Sequence, residues 1–180
     1  MRAVQAAAAG TIVLPRIVVV MGVAGCGKSV VGAALAEALG WRLIEGDVLH
    51  PRANIERMSA GLPLTDAHRW GWLDAIGGEI ARAGSEGVGA VAACSALKRI
   101  YRDRLRRFGD GIVFLHLAID KKSAAERVAG RTGHFMPATL VDSQFADLEP
   151  PQPDEEAVTL DATRPIDELV AAAHAVLIAG

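Results

Sequence analysis

The sequence predicts an α/β fold, a mainly parallel five-stranded sheet flanked by helices, and three observations carry that reading. Short apolar runs of strand length alternate with longer stretches whose apolar residues recur at helical spacing, the pattern of βαβ units. A glycine-rich turn joins the first such strand to the first such helix. The 180 residues, 51% hydrophobic and 22% charged, are one domain's worth of chain and can bury about 70% of the surface they expose when unfolded.

Residues 16–21 (RIVVVM) form an unbroken apolar strand. Residues 28–39 are a helix with Val31, Leu35 and Leu39 at helical spacing and Gly40 as its C-terminal cap. A short strand at 41–45 precedes a helix over 51–59, with Pro51 suited to its first turn, and a second helix that Asp66 caps and that runs to 83. The third strand is 88–94. A basic helix at 97–108 leads to the fourth strand, 111–119 (GIVFLHLAI), with Asp120 read as a cap at its end. A helix at 121–130, a loop at 131–137 mixing Arg, Gly, His and Pro, and a helix at 138–146 follow. The proline-rich, acidic stretch 149–156 reads as an exposed connector to the last strand, 157–160, and the closing helix, 166–178. Residues 1–15 are expected to be a frayed extension and 16–180 one domain, with no internal repeat.

Composition narrows the function. With 19 Lys and Arg against 21 Asp and Glu, a net charge of -2 and a pI near 6.2, the chain lacks the cationic excess that nucleic-acid phosphates demand. No stretch reaches the roughly 18 apolar residues of a membrane span. Cys26 and Cys94 fit no metal or disulfide spacing, so a reducing cytoplasm is expected. The apolar start, with Arg2 and its alanines, is read as an extension rather than a signal peptide, because a motif for a cytosolic nucleotide follows it directly.

That motif is Gly22-Val-Ala-Gly-Cys-Gly-Lys-Ser29, a full match to G-x-x-x-x-G-K-[ST] between a strand and a helix, which makes the expected fold that of the P-loop NTPases with ATP and Mg²⁺ as cofactors. Gly22, Gly25 and Gly27 let the backbone turn so that its amides, those of Val23, Ala24 and Cys26 included, face inward as an anion nest. Lys28 reaches the β- and γ-phosphates and Ser29 ligates the metal. The guanine-reading N-K-x-D of GTPases is absent, which points away from switch proteins. Beyond the second strand, Glu45-Gly-Asp-Val-Leu-His-Pro51 puts Asp47 at the carboxyl edge of the sheet, where it can orient an acceptor hydroxyl and take its proton.

This string, with Asn54-Ile-Glu-Arg-Met58, Gly61-Leu-Pro-Leu64, Arg69, Trp72-Leu73, Cys94-Ser-Ala-Leu-Lys98, Tyr101-Arg-Asp103, Gly133-His-Phe135 and Ser143-Gln-Phe145, resembles the gluconokinase family of small P-loop kinases in one collinear order. The resemblance implies MgATP-dependent phosphorylation of the 6-hydroxyl of D-gluconate, and a homodimer. Three positions depart from the family's pattern, all toward the acceptor side: Glu45 for Asp, His68 for an acidic residue and Gly71 for proline.

A polyol carboxylate calls for a cation and hydrogen-bonding groups. The acceptor candidates are therefore Asp47, His50, Arg52, Lys98 and Arg102, with His134 of the 131–137 loop. The outward basic residues of the 97–108 helix read as solvated charge. Arg127 and Arg131, four apart, lead into a lid at about 127–137 that would cover the nucleotide and bring charge to the transferred group. Arg164, in the Thr163-Arg-Pro165 turn, resembles the family's adenine-side loop. Lys28, Asp47 and Arg131 are the expected catalytic set. A same-fold kinase for another sugar acid or polyol, and a nucleotide-binding regulator without turnover, stay open as alternatives.

Overall fold

The computed structural model describes residues 17–130, 137 and 139–179; the expected extension at 1–15 and most of the loop at 131–137, with Arg131 and His134, lie outside the described residues. Five strands pair in parallel in the order β2-β3-β1-β4-β5: β1 Ile17–Met21, β2 Arg42–Glu45, β3 Ala90–Ala93, β4 Ile112–Ala118 and β5 Ala157–Asp161. Val20 of β1 stands beside Ala93 of β3 on one side and Leu115 of β4 on the other, so β1 occupies the middle of the sheet.

Among the described residues, seven α-helices join the strands: α1 Lys28–Leu39, α2 Arg52–Ser59, α3 Asp66–Ser85, α4 Arg99–Arg106, α5 Lys121–Ala129, α6 Leu140–Asp147 and α7 Ile166–Ala179. Side chains alternate across a strand, and β1 shows what that does here. Val18 and Val20 pack into one core with Leu35 of α1 and Leu169, Ala173 and Leu177 of α7. Ile17, Val19 and Met21 pack into the other with Trp72, Leu73 and Ile76 of α3 and Tyr101 and Leu105 of α4. A strand buried on both faces needs the unbroken apolar run that the sequence displays.

Two local details differ from the sequence reading. Asp66 does not cap α3: Thr65 is the N-cap, and His68 accepts the Thr65 backbone N–H on Nδ1 at 3.1 Å. Asp66 instead accepts from Lys98 Nζ at 2.9 Å and from the Tyr101 hydroxyl. The basic helix is also not merely solvated charge. Arg104 makes a double hydrogen bond to Asp74, and Arg99 one to Asp154 of the acidic connector, so α4 is fastened to its neighbours. Among the described residues, no helix is long and apolar enough to cross a membrane.

Candidate active site

A parallel sheet collects whatever follows its strands along one edge. Three such junctions meet here. The phosphate loop leaves β1, a 3₁₀ turn at Gly46–Leu49 leaves β2 with Asp47 in it, and the loop with Ser95 leaves β3. The Gly22 N–H donates to Ser95 O at 3.2 Å and ties the first of these to the third.

The loop's shape requires glycine at Gly25. Its φ is +84°, and a Cβ there would lie 2.6 Å from the Ala124 carbonyl of α5. Lys28 Nζ lies over the loop, donating to Val23 O at 3.0 Å, and Ser29 is exposed at the first turn of α1. The Ala24 N–H donates to Gln144 Oε1 at 2.6 Å, and Arg127 donates to Gly25 O at 3.4 Å and Ala162 O at 3.1 Å. Helices on either side of the 131–138 segment thus hold adjacent residues of the phosphate loop.

On the acceptor side, Gly46 passes so close to β3 that a Cβ would meet Ala93 O at 2.3 Å, which fixes where the following Asp47 stands. Glu45 Oε1 accepts the Asp47 N–H at 3.4 Å, and Trp72 Nε1 donates to Gly46 O at 2.7 Å. His50 stacks on Trp72 with ring centroids 4.1 Å apart, and its Nδ1 lies 3.4 Å from Asn54 Nδ2. Burial pushes the His50 pKa down to about 4, with Asp47 opposing and Arg69 assisting, so the ring is neutral at neutral pH.

One cleft runs between these groups. Gly25, Gly27, Lys28 and Ser29 line its phosphate end, Asp47 and His50 its acceptor end, and Ser143 and Gln144 its roof. Arg69 of α3 also lines it, a cation outside the acceptor candidates that the sequence offered. Its side chain is only 6% exposed, held 3.5 Å from Asp147 Oδ2 and from Leu64 O, and its buried Nε has no hydrogen-bond partner among the described residues. A buried guanidinium with a spare N–H beside a cleft is suited to an anionic or hydroxyl-rich ligand. The signal was in the sequence: Arg69 stands three, four and seven residues before Trp72, Leu73 and Ile76, a charge on the buried stripe of an amphipathic helix.

The other acceptor candidates lie elsewhere. Arg102 is a correction: its side chain is fully buried, bonded through Nε to Glu155 Oε2 at 2.6 Å and through Nη2 to Glu155 Oε1 at 2.8 Å, and no ligand can touch it. Lys98 does not line the cleft and is engaged by Asp66 and Asp147; its hydrogen bond to Asp66 above all holds its pKa above the ordinary lysine value. Arg52 is 91% exposed and pairs with Glu56 along its own helix. A separate groove on the far side of the phosphate loop is lined by Gly25, Gly27, Val30, Arg127, Arg164 and Ile166. Arg164 is bonded there to Glu168 at 3.0 Å, and Asp120 caps α5 by accepting the Ser123 N–H at 2.9 Å.

The three departures from the family's pattern all fall outside the cleft. Glu45 supports the Asp47 amide, His68 completes the start of α3, and a side chain at Gly71 would meet open space. Among the described residues no group of three His, Cys, Asp or Glu side chains could hold a metal. Ser29 and Asp47 both line the cleft, a hydroxyl and a carboxylate of the oxygen-donor kind that suits Mg²⁺ beside phosphate oxygens.

Comparison with known proteins finds relatives over most of the chain. Residues 17–151 match the model of an AAA domain family. A gluconokinase of Gluconobacter oxydans is 47% identical over 150 residues, spanning 83% of this chain and 84% of its own. The thermosensitive gluconokinase of Escherichia coli is 40% identical over 140 residues, 78% of this chain and 75% of its own. Among solved structures, a gluconokinase from Sinorhizobium meliloti superposes with a TM-score of 0.80 at 48% identity, covering 90% of this chain and 91% of that one. A sugar kinase from Janibacter gives 0.86 at 41% identity, with coverage of 91% and 94%. A shikimate kinase from Aquifex aeolicus, at 13% identity and a TM-score of 0.62, shares the fold alone.

Proposed function

The chain belongs to the gluconokinase family, and from that premise we infer that it transfers the γ-phosphoryl group of ATP to the 6-hydroxyl of D-gluconate, giving ADP and 6-phospho-D-gluconate. The observation that carries the reading is the single cleft in which Lys28 and Ser29 face Asp47, His50 and the buried Arg69. Phosphoryl transfer asks a protein mainly for positioning and charge. Lys28 and the loop amides other than that of Ala24, which Gln144 occupies, hold the phosphates and offset the charge that spreads over the transferred group. Ser29 would hold Mg²⁺, which would neutralise further charge on the phosphates. Asp47 orients the acceptor hydroxyl and accepts its proton. Arg69 takes the carboxylate or a hydroxyl of the acceptor, in place of the candidate cations Arg52, Lys98 and Arg102, and His50 hydrogen-bonds the polyol as a neutral ring. Arg127 and Arg164 face the nucleotide, and Arg131 and His134 belong to the lid in this reading.

The positions that depart from the family lie away from the cleft, which favours gluconate over another sugar acid. A coupled assay of ADP release with MgATP tests this, comparing D-gluconate with shikimate, other aldonates, glucose and no acceptor. Turnover confined to gluconate is expected; equal release without an acceptor would overturn the activity, and turnover of a different acceptor would overturn the substrate. A homodimer and a cytoplasmic location complete the reading, with light scattering and cell fractionation as their tests.

A further inference from the structure

The reaction needs two halves of the cleft held in register, and one buried polar side chain spans them. Gln144 is only 7% exposed, although most glutamines lie at the surface. Its Oε1 accepts the Ala24 N–H at 2.6 Å, a bond between residues 120 apart in sequence. Ala24 belongs to the phosphate loop. The helix that carries Gln144 is committed to the acceptor half by two other residues. Leu140 packs with Met58 and Leu64, which line the acceptor end of the cleft. Asp147 lies 3.5 Å from Arg69 and from Lys98. One helix of eight residues therefore touches the phosphate loop through Gln144, the apolar acceptor wall through Leu140 and the buried acceptor cation through Asp147.

From this geometry we propose that Gln144 is a positioning residue for phosphoryl transfer: by holding the Ala24 amide it sets the distance and angle between the phosphate loop and the acceptor half of the site. The proposal rests on the kinase reading above. An alignment role has a distinct signature. Loss of the bond should leave the phosphate nest able to bind nucleotide, because the remaining loop amides and Lys28 are untouched. The acceptor hydroxyl would no longer stand in line with the γ-phosphorus, and small misplacements there cost large factors in rate. Water can then compete with the acceptor.

The test is Gln144→Met, which keeps the length of the side chain and removes the acceptor atom, with Gln144→Asn as a second variant that keeps the amide but shortens its reach. Three quantities are read: kcat with gluconate, the Kd of a non-hydrolysable ATP analogue by calorimetry, and the ratio of ADP released to phosphorylated product. The expected result in both variants is a kcat lowered about 10- to 100-fold, an analogue Kd within about threefold of the parent, and an ADP-to-product ratio above the parent's. A kcat within twofold of the parent in either folded variant overturns the proposal. So does a parallel fall of kcat, analogue affinity and Tm at an unchanged product ratio, which is the mark of a merely structural contact. The parent protein in the same assay separates the two readings. If it turns over another acceptor instead of gluconate, only the substrate is wrong, and the variants are judged with that acceptor. If it turns over none, the kinase reading and the role of Gln144 fall together.

Discussion

Asp47 and Arg69 line one cleft but should fail differently when removed. A positioned base acts on the proton that moves, so Asp47→Asn should lower kcat by about 10²- to 10⁴-fold with little change in nucleotide affinity. A buried cation that grips the acceptor acts before and during transfer, and a hydrogen bond to a charged group is worth about 1.5–3 kcal/mol. Arg69→Met should accordingly raise KM for gluconate by about 10- to 100-fold while KM for ATP stays near the parent value. Steady-state kinetics in both substrates checks the pair, and a Met variant with an unchanged gluconate KM would remove Arg69 from the acceptor site. His50 makes a prediction in pH. Its folded pKa, near 4, lies below the 6.5 of an unfolded histidine, so the unfolded chain binds the proton more tightly between those values. The stability contributed by the neutral, stacked ring is complete above pH 6.5 and is lost as pH falls toward 4. An NMR titration should place the His50 midpoint near 4, and His50→Gln should flatten the loss of unfolding free energy over that window. At this scale the sequence spoke ambiguously. Arg69 and Arg102 each stand on the buried stripe of a helix, but Glu155 takes Arg102 through hydrogen bonds of 2.6 and 2.8 Å, whereas Asp147 stands 3.5 Å from Arg69. Which buried arginine serves the ligand and which serves the core depends on a partner 53 residues away, which no local spacing reveals.

The same distance effect governs whole elements. Helix α4 and the connector before β5 read separately as a basic face and an acidic loop, both solvated. Parallel pairing of β4 with β5 brings the connector across α4, and three of its carboxylates then bond to the helix. Glu149 accepts the Arg99 N–H at 2.7 Å, Asp154 takes the Arg99 guanidinium, and Glu155 takes Arg102 and, at 3.2 Å, Arg106. The bonds from Arg102 hold the Glu155 pKa down at about 2. Its contribution to stability is thus present above the ordinary carboxylate pKa of 4.5 and is lost as pH falls through 2. Removing one member strands the other as a buried charge. Glu155→Gln should therefore cost about 3–5 kcal/mol in chemical denaturation, while the folded variant keeps its KM for gluconate. A cost below about 1 kcal/mol would mean that the pair is not desolvated, and a raised gluconate KM would return Arg102 to the site. The elements themselves were legible because each carries its own period: the valine run of β1, the spaced apolar residues of α1, and Gly40, which ends α1 at φ +65°. The 3₁₀ turn at Gly46–Leu49 was not, since it is set by the close pass of Gly46 against Ala93 rather than by any repeat in its own residues.

At the scale of the molecule, the order β2-β3-β1-β4-β5 explains how residues from four distant parts of the chain reach one edge. The phosphate loop follows β1, Asp47 follows β2, Arg69 descends on α3, and α6 closes over them between β4 and β5. The fold class was readable from alternation and from one motif, and so was the donor half of the site, because a phosphate loop is contiguous. The acceptor half was readable only in part, since it is assembled from α3 and α6 against the turn after β2. That division bears on how the two ligands should act together. A ligand that binds only the folded state stabilises it by about 2.7 kcal/mol at a hundred times its Kd. For a chain of this length, each kcal/mol is worth about 2–4 °C in Tm. Were the two halves independent, a non-hydrolysable ATP analogue and gluconate would each raise Tm by about 5–10 °C at that occupancy, and together by the sum. They are not independent here, because α6 bonds to the phosphate loop through Gln144 and to Arg69 through Asp147. Ordering either half pre-orders the helix for the other, so the second ligand has less conformational freedom left to remove. The two together should therefore raise Tm by more than the sum of their separate shifts, and gluconate should bind more tightly to the analogue-loaded protein than to the free one. By linkage the analogue must gain the same factor from gluconate. Calorimetric titrations in both orders measure it twice, and equal affinities with and without the partner ligand would show that α6 carries no coupling between the halves.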